Sequence, residues 1–518
     1  MVKQVRNPRT TLEDQFEAWT TVSCLGWRRT CVELNSIVPS VTFFPQLPIE
    51  VSCMSFPRMS LTLGRRSAVA VMAGLLVPAL TLAQSTADLT EPRLRRAIAE
   101  ADRLTPGWRM DELQANRLKP APEKDSAAVL DQTAGQLSPP TDAERELVNN
   151  EVDSKQPLGA AVKKDLAALV ERNRAVLPAL RGLVDRPTGR FRFTMGKGVL
   201  DTLLPHLQIL RQQVDVLLAD ALLRVDGGDA DGALDSCRAA VCAARSLFDE
   251  PFAISQLVRI ACMAKTQEAI LAVLDRGRPS AVALAETQQV VADETEQVIS
   301  RTAMLGERAM MFEVLGRLAD GSLSLDKVIR DVNAKLSFDG PRDILSRPAV
   351  LRASQGLMLE RMNLMVEAVR QPSWTWLEGN DRYDRSMRPA RGADGKLNPE
   401  DALVVSLAPS LRHIIEGELR IDALGRALEL LIAAERYALI GGDWPKSAEA
   451  LVPRYLKAVP TDPLTGKPMR LVRERDRLIA YSLGVNGRDD GGKVDGSSDV
   501  KVKESADVGF ALPIPRPR

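Results

Sequence analysis

A chain of 518 residues is too long for one hydrophobic core, so it accommodates about two to four domains. Its 45% hydrophobic and 26% charged residues make a globular composition, and 69 Lys and Arg against 68 Asp and Glu leave no global basic field of the kind that draws a protein to nucleic acid or anionic lipid. Aromatics are scarce at 4%, which favours helices packed through Ala, Leu and Val over a β-sandwich.

Residues 1–58 show no sustained helical or strand period and hold Cys24, Cys31 and Cys53. They are expected to be a disordered or mis-annotated extension, with Met54 or Met59 as the true start. Residues 59–83 then carry the three parts of a secretory signal peptide: the basic pair Arg65 and Arg66, an apolar stretch from Ala68 to Leu82, and small residues ending at Ala83. The stretch of 15 residues is short of the roughly 20 that cross a bilayer as a helix, so cleavage after Ala83 is expected. The alternatives are an uncleaved anchor, which would be the only membrane contact, or a buried core helix. Gly64-Arg65-Arg66-Ser67 carries the twin arginines of the folded-protein export route without the rest of that pattern.

Residues 84–155 read as a short helix around Glu91 to Leu104 followed by a linker or loosely attached arm, KPAPEKDSAAVLDQTAGQLSPPTDAE. Residues 156–370 form a helical body. Leu203, Leu207, Leu210, Val214 and Leu217 align one apolar stripe, a turn falls at Gly227-Gly228-Asp229, and a second helix carries Ala233, Cys237, Ala240 and Ala244. A break at Glu250-Pro251 precedes a third helix over about Ile254 to Leu274, and further helices are expected near 283–318, 324–335 and 348–369. The helix, the Gly-Asp turn, the Ala-rich second helix and the Pro break together resemble one tetratricopeptide-like hairpin, although no 34-residue repeat recurs. Of Cys237, Cys242 and Cys262, the first two lie on different sides of a helix and should not pair; buried free thiols are expected, with Cys237 or Cys242 to Cys262 the alternative.

Residues 371–409 break the pattern as a loop or linker. Its Trp374, Trp376 and Tyr383 either anchor the loop on the helical body or present a contact surface for a glycan or protein. Residues 410–515 begin with a long apolar-striped helix stopped by Gly441-Gly442, and strands are expected at Met469–Val472 and Leu478–Ser482. In this segment Gly442 with Trp444-Pro445, the stretch Ala448 to Leu456, Pro460-Thr461-Asp462-Pro463 with Gly466, and Tyr481-Ser482-Leu483-Gly484 occur in order. In that order the segment resembles the soluble head of the major pseudopilins of type II secretion, and residues 200–515 together look like a group of uncharacterised exported bacterial proteins. The resemblance implies an α+β head and a terminal loop that binds calcium through oxygen ligands. Here the loop offers Asn486 where the family has Asp, with Asp489 and Asp490 able to compensate, Asp495 a third such carboxylate, and Asp507 in the closing Ala-Asp-Val. The apolar segment lies far from the head, so a filament role is not expected, but a secretion-system or pilus-associated role is an alternative.

Enzymatic signatures are missing. His206 sits in a helix stripe and His413 one turn before Glu416, both read as structural, and Thr465-Gly466-Lys467-Pro468 is no phosphate loop because Pro occupies its fourth position. The acidic residues scattered along helices read as solvated faces, leaving a hydrolase with an unsignalled carboxylate site as a further alternative. The expectation is thus a mainly α fold with a small antiparallel sheet at the C-terminus, in an exported envelope protein that binds or scaffolds protein partners, without nucleic acid and without a cofactor other than calcium.

Overall fold

The computed structural model describes residues 92–152, 157–193, 202–331, 336, 338–393, 395–495 and 506–514. The extension, the signal-like segment and Ala83 lie outside the described residues. The chain is mainly helical, with a small sheet at the C-terminus.

The helical body contains α1 (His206–Asp226), α2 (Ala230–Arg245), α3 (Ala253–Arg276), α4 (Ala281–Thr295), α5 (Ile299–Ala319) and α6 (Pro348–Ala368), with α1 packed on α2, α2 on α3 and α4, α3 on α5, and α5 on α6. The α1–α2 hairpin packs tightly, and Ala233, Cys237, Ala240 and Ala244 of α2 are buried, as are Leu210, Val214 and Leu217 of α1. Leu203 drops out of the stripe: α1 starts at His206, and Leu203 is exposed. Asp229 caps α2 by accepting from Gly232 N, and Ser280 caps α4 by accepting from Ala283 N. The helix expected near 283–318 is divided into α4 and α5 at Glu296 to Val298.

Two segments expected as connectors are parts of the body. Within 119–144 the helix Ser126–Ala134 buries Ala127 and Leu130, and the following helix Asp142–Val152 buries Val148 and Val152. Within 371–409 the helices Trp376–Ser386 and Pro399–Leu407 pack on α6. Both were hidden for one reason: short helices that bury only two to four apolar side chains acquire their stability from the surface they land on, not from their own pattern.

The long helix α7 (Arg412–Gly441) is the spine of the molecule. It packs on α3, α4 and α5 and also on the sheet, so the boundary at 410 marks no break in packing, and one continuous core runs from Ala97 to Ile514. It stops at Gly442, whose φ of 72° is the left-handed conformation that glycine adopts without a Cβ clash. The sheet contains β1 (Arg470–Arg473), β2 (Arg477–Ser482), β3 (Val494–Asp495) and β4 (Asp507–Pro513) in the order β1-β2-β4-β3. The first two are the expected hairpin, with Val472 opposite Ile479. The strand β4, which sequence reasoning missed, pairs antiparallel with β2, Ala480 opposite Phe510, and β3 adds a two-residue parallel edge.

Candidate functional site

Three places hold polar residues that sequence reasoning had singled out or misread: the motif turn of the head, its terminal loop, and the interior of the helical body.

The turn at 460–467 is organised by Asp462, which is fully buried. Its Oδ1 accepts from Leu464 N at 2.9 Å and from the Ser482 hydroxyl at 2.8 Å; its Oδ2 accepts from the Thr465 hydroxyl at 2.7 Å and from Leu483 N at 3.0 Å. One carboxylate thereby joins the Pro-Thr-Asp-Pro turn to the Tyr-Ser-Leu-Gly strand end, which is why the two motifs occur together. Gly466, at φ +71°, leaves space that the Trp374 indole fills, because a Cβ there would stand 2.9 Å from the ring. Ser373 Oγ donates to the Pro463 carbonyl at 3.0 Å. Trp374 is thus a half-exposed clamp between loop and head, while Trp376 and Tyr383 are buried anchors.

The terminal loop folds over the outer face of the sheet, where Gly492 rests on Ile479 and Tyr481. Asn486, Asp489, Asp490 and Asp507 come to this loop, but their oxygens are engaged in shaping it. Asp489 Oδ1 accepts from the Tyr481 hydroxyl at 3.0 Å and from Gly491 N at 3.0 Å. Asn486 donates to Asp490 Oδ2 at 3.0 Å and accepts from Arg488 N at 2.8 Å. Asp507 Oδ2 accepts from Gly492 N at 2.9 Å, while its Oδ1 is buried and has no partner among the described residues. Burial, aided by the nearby carboxylates of Asp489 and Asp490 and opposed by amide hydrogen bonds, pushes Asp507 upward. Among the described residues no three His, Cys, Asp or Glu side chains are placed to hold a metal ion. Calcium takes about six to eight oxygens, and the described residues of the loop do not gather such a set, so they do not fit the ion.

The interior corrects the reading of acidic residues as solvated faces. Glu307 on α5 is buried and accepts from Ala253 N at 3.2 Å, capping α3, whose own N-cap residue Phe252 has no side-chain acceptor. Beside it, Gly306 lets α5 lie directly on the Pro251 carbonyl, where a Cβ would approach to 1.8 Å. Glu418 on α7 does the same for α5, accepting from Ile299 N at 2.7 Å and Ser300 N at 2.5 Å. Burial pushes Glu307 up to about 7, opposed only by its bond from Ala253. Glu294 on α4 is different. Burial alone would raise it, but Arg259, at 2.8 Å, and Arg245 together hold it below its ordinary value.

His206 is locked by Glu250, whose oxygens lie 2.9 and 3.1 Å from Nε2, and its ring stacks on Phe191 with centroids 4.4 Å apart. His413 lies 3.8 Å from Glu416, which also pairs with Arg412 at 2.7 Å. Cys237, Cys242 and Cys262 are free and buried, and burial pushes Cys242 up to about 11 and Cys262 up to about 12. None of the described helices is long and apolar enough to cross a membrane. The chain matches no protein-family model, no curated protein and no solved structure.

Proposed function

We propose that this chain is a non-enzymatic protein exported to the bacterial envelope, where it binds or scaffolds protein partners. The observation that carries the non-enzymatic part is the placement of the reactive side chains. His206 is held by a buried carboxylate, the three described thiols are kept protonated by burial, and Glu307 and Glu418 cap helices. A nucleophile or general base has to meet a substrate, and these groups face the interior. Export is supported by the order of basic pair, apolar stretch and small residues ending at Ala83. The pseudopilin-like order of motifs in the head is supported by the way Asp462 ties two of them together.

Cross-linking the full-length chain in intact native cells tests the binding role. A discrete cross-linked complex with another envelope protein is expected. Recovery of the uncross-linked chain alone, from cells in which it is abundant, would contradict it.

A further inference from the structure

Five helices meet on a set of interior charges. Glu418 and Asp422 stand one turn apart on α7, both buried. Facing them are Arg259 from α3, Glu294 from α4, Arg245 from α2 behind Glu294, and the Ile299 and Ser300 amides of α5. Arg426, one turn beyond Asp422, completes the set and has Glu429 and Glu296 on its other side. Arg259 is fully buried; its Nη2 donates to Glu294, and its Nε and Nη1 have no partner among the described residues.

Arg426 is the group with a choice. It is half-buried, and its guanidinium donates to two neutral carbonyls: Thr461 in the head turn, and Thr295 at the end of α4 at 3.4 Å. Asp422 is placed four residues before it on the same helix, the spacing at which an ionised Asp and an Arg meet. A charged carboxylate is about twice as strong an acceptor as a carbonyl.

We infer that Asp422 and Arg426 form a proton-dependent latch between the helical body and the head. With Asp422 neutral, Arg426 holds the Thr461 carbonyl and keeps the turn at 460–467 on α7. When Asp422 releases its proton to solvent, Arg426 turns back to the new carboxylate and lets go of the turn. Glu418 is the partner whose negative charge is compensated, by two backbone amides at the positive end of α5. Burial, together with the neighbouring Glu418, raises Asp422 well above the ordinary carboxylate range.

Trp374 reports on the latch, because its indole covers Gly466 inside the same turn. Full-length protein labelled with 5-fluorotryptophan gives one resonance per indole, and Trp374→Phe identifies the relevant one. Over a titration from about pH 5 to about pH 10 that resonance should move in the parent protein and stay fixed in Asp422→Asn, which mimics the neutral acid. Arg426→Gln should leave it at the high-pH position throughout, and this partly exposed variant carries the test if Asp422→Asn does not fold. A resonance that is still across that range in the parent protein, or that titrates unchanged in either variant, overturns the latch.

Discussion

Replacing Asp462 should unfasten the head. Each carboxylate oxygen takes one backbone amide and one hydroxyl: Leu464 N with Ser482 Oγ, and Leu483 N with Thr465 Oγ1. In Asp462→Ala the hydroxyls can rotate to other acceptors, but the two amides are left buried, at about 1–3 kcal/mol each, for a loss of about 4 kcal/mol. Asp462→Asn is the sharper test. An amide side chain has one acceptor oxygen, so whichever way it turns, one backbone N–H faces an NH₂, and the loss should be about 2 kcal/mol. Ser482→Ala removes a single hydroxyl donor and should cost about 1 kcal/mol. Urea unfolding followed by tryptophan emission measures the series, with Trp374 beside the turn as a local probe. An Asp462→Asn protein as stable as the parent would refute the assignment of Asp462 as the knot of the turn.

Gly306→Ala exchanges a poor helix former for the best one, worth about 1 kcal/mol in favour of the variant, yet its Cβ would press on the Pro251 backbone; a net loss of at least about 2 kcal/mol is expected in the same assay. Glu307, raised in the fold from 4.5 to about 7, contributes stability that is fully present below about pH 4.5 and is lost as pH rises through about 7, roughly 3 kcal/mol in all. Glu307→Gln keeps an acceptor for Ala253 N without a charge to bury, so its unfolding midpoints measured against pH should show less of this decline and exceed those of the parent near pH 8; parallel curves would count against the buried-cap assignment. Calcium added to protein purified in chelator should leave the thermal midpoint where it was, since the described residues of the loop assemble no metal-holding group; a saturable rise would show that one can be recruited.

The parts of this fold that announce themselves in sequence are those in which local pattern and tertiary demand agree. The stripes of α1 and α7, the Gly-Asp turn before α2 and the hairpin of β1 and β2 are of this kind, as is the stop at Gly442. What escaped was set by distant partners. The strand β4 is a short run ending in Pro513 that becomes a strand by lying beside β2, and Ala127, Leu130 and Val148 are too few to mark an arm as core. The starts of α3 and α5 lack the usual capping residues because Glu307 and Glu418 arrive from other helices. A glutamate within a helix looks the same in sequence whether it meets water or a buried helix end. In the candidate loop, the residue types suited to an ion were legible, but the hydrogen bonds that engage their oxygens were not.

The most direct test of the proposed role is intact mass and N-terminal sequencing of the chain from its native cell, fractionated by compartment. A mature protein beginning at Gln84 and recovered outside the cytoplasm is the expected result. A chain in the cytoplasm that retains residues 1–58 would contradict export and, with it, the envelope role.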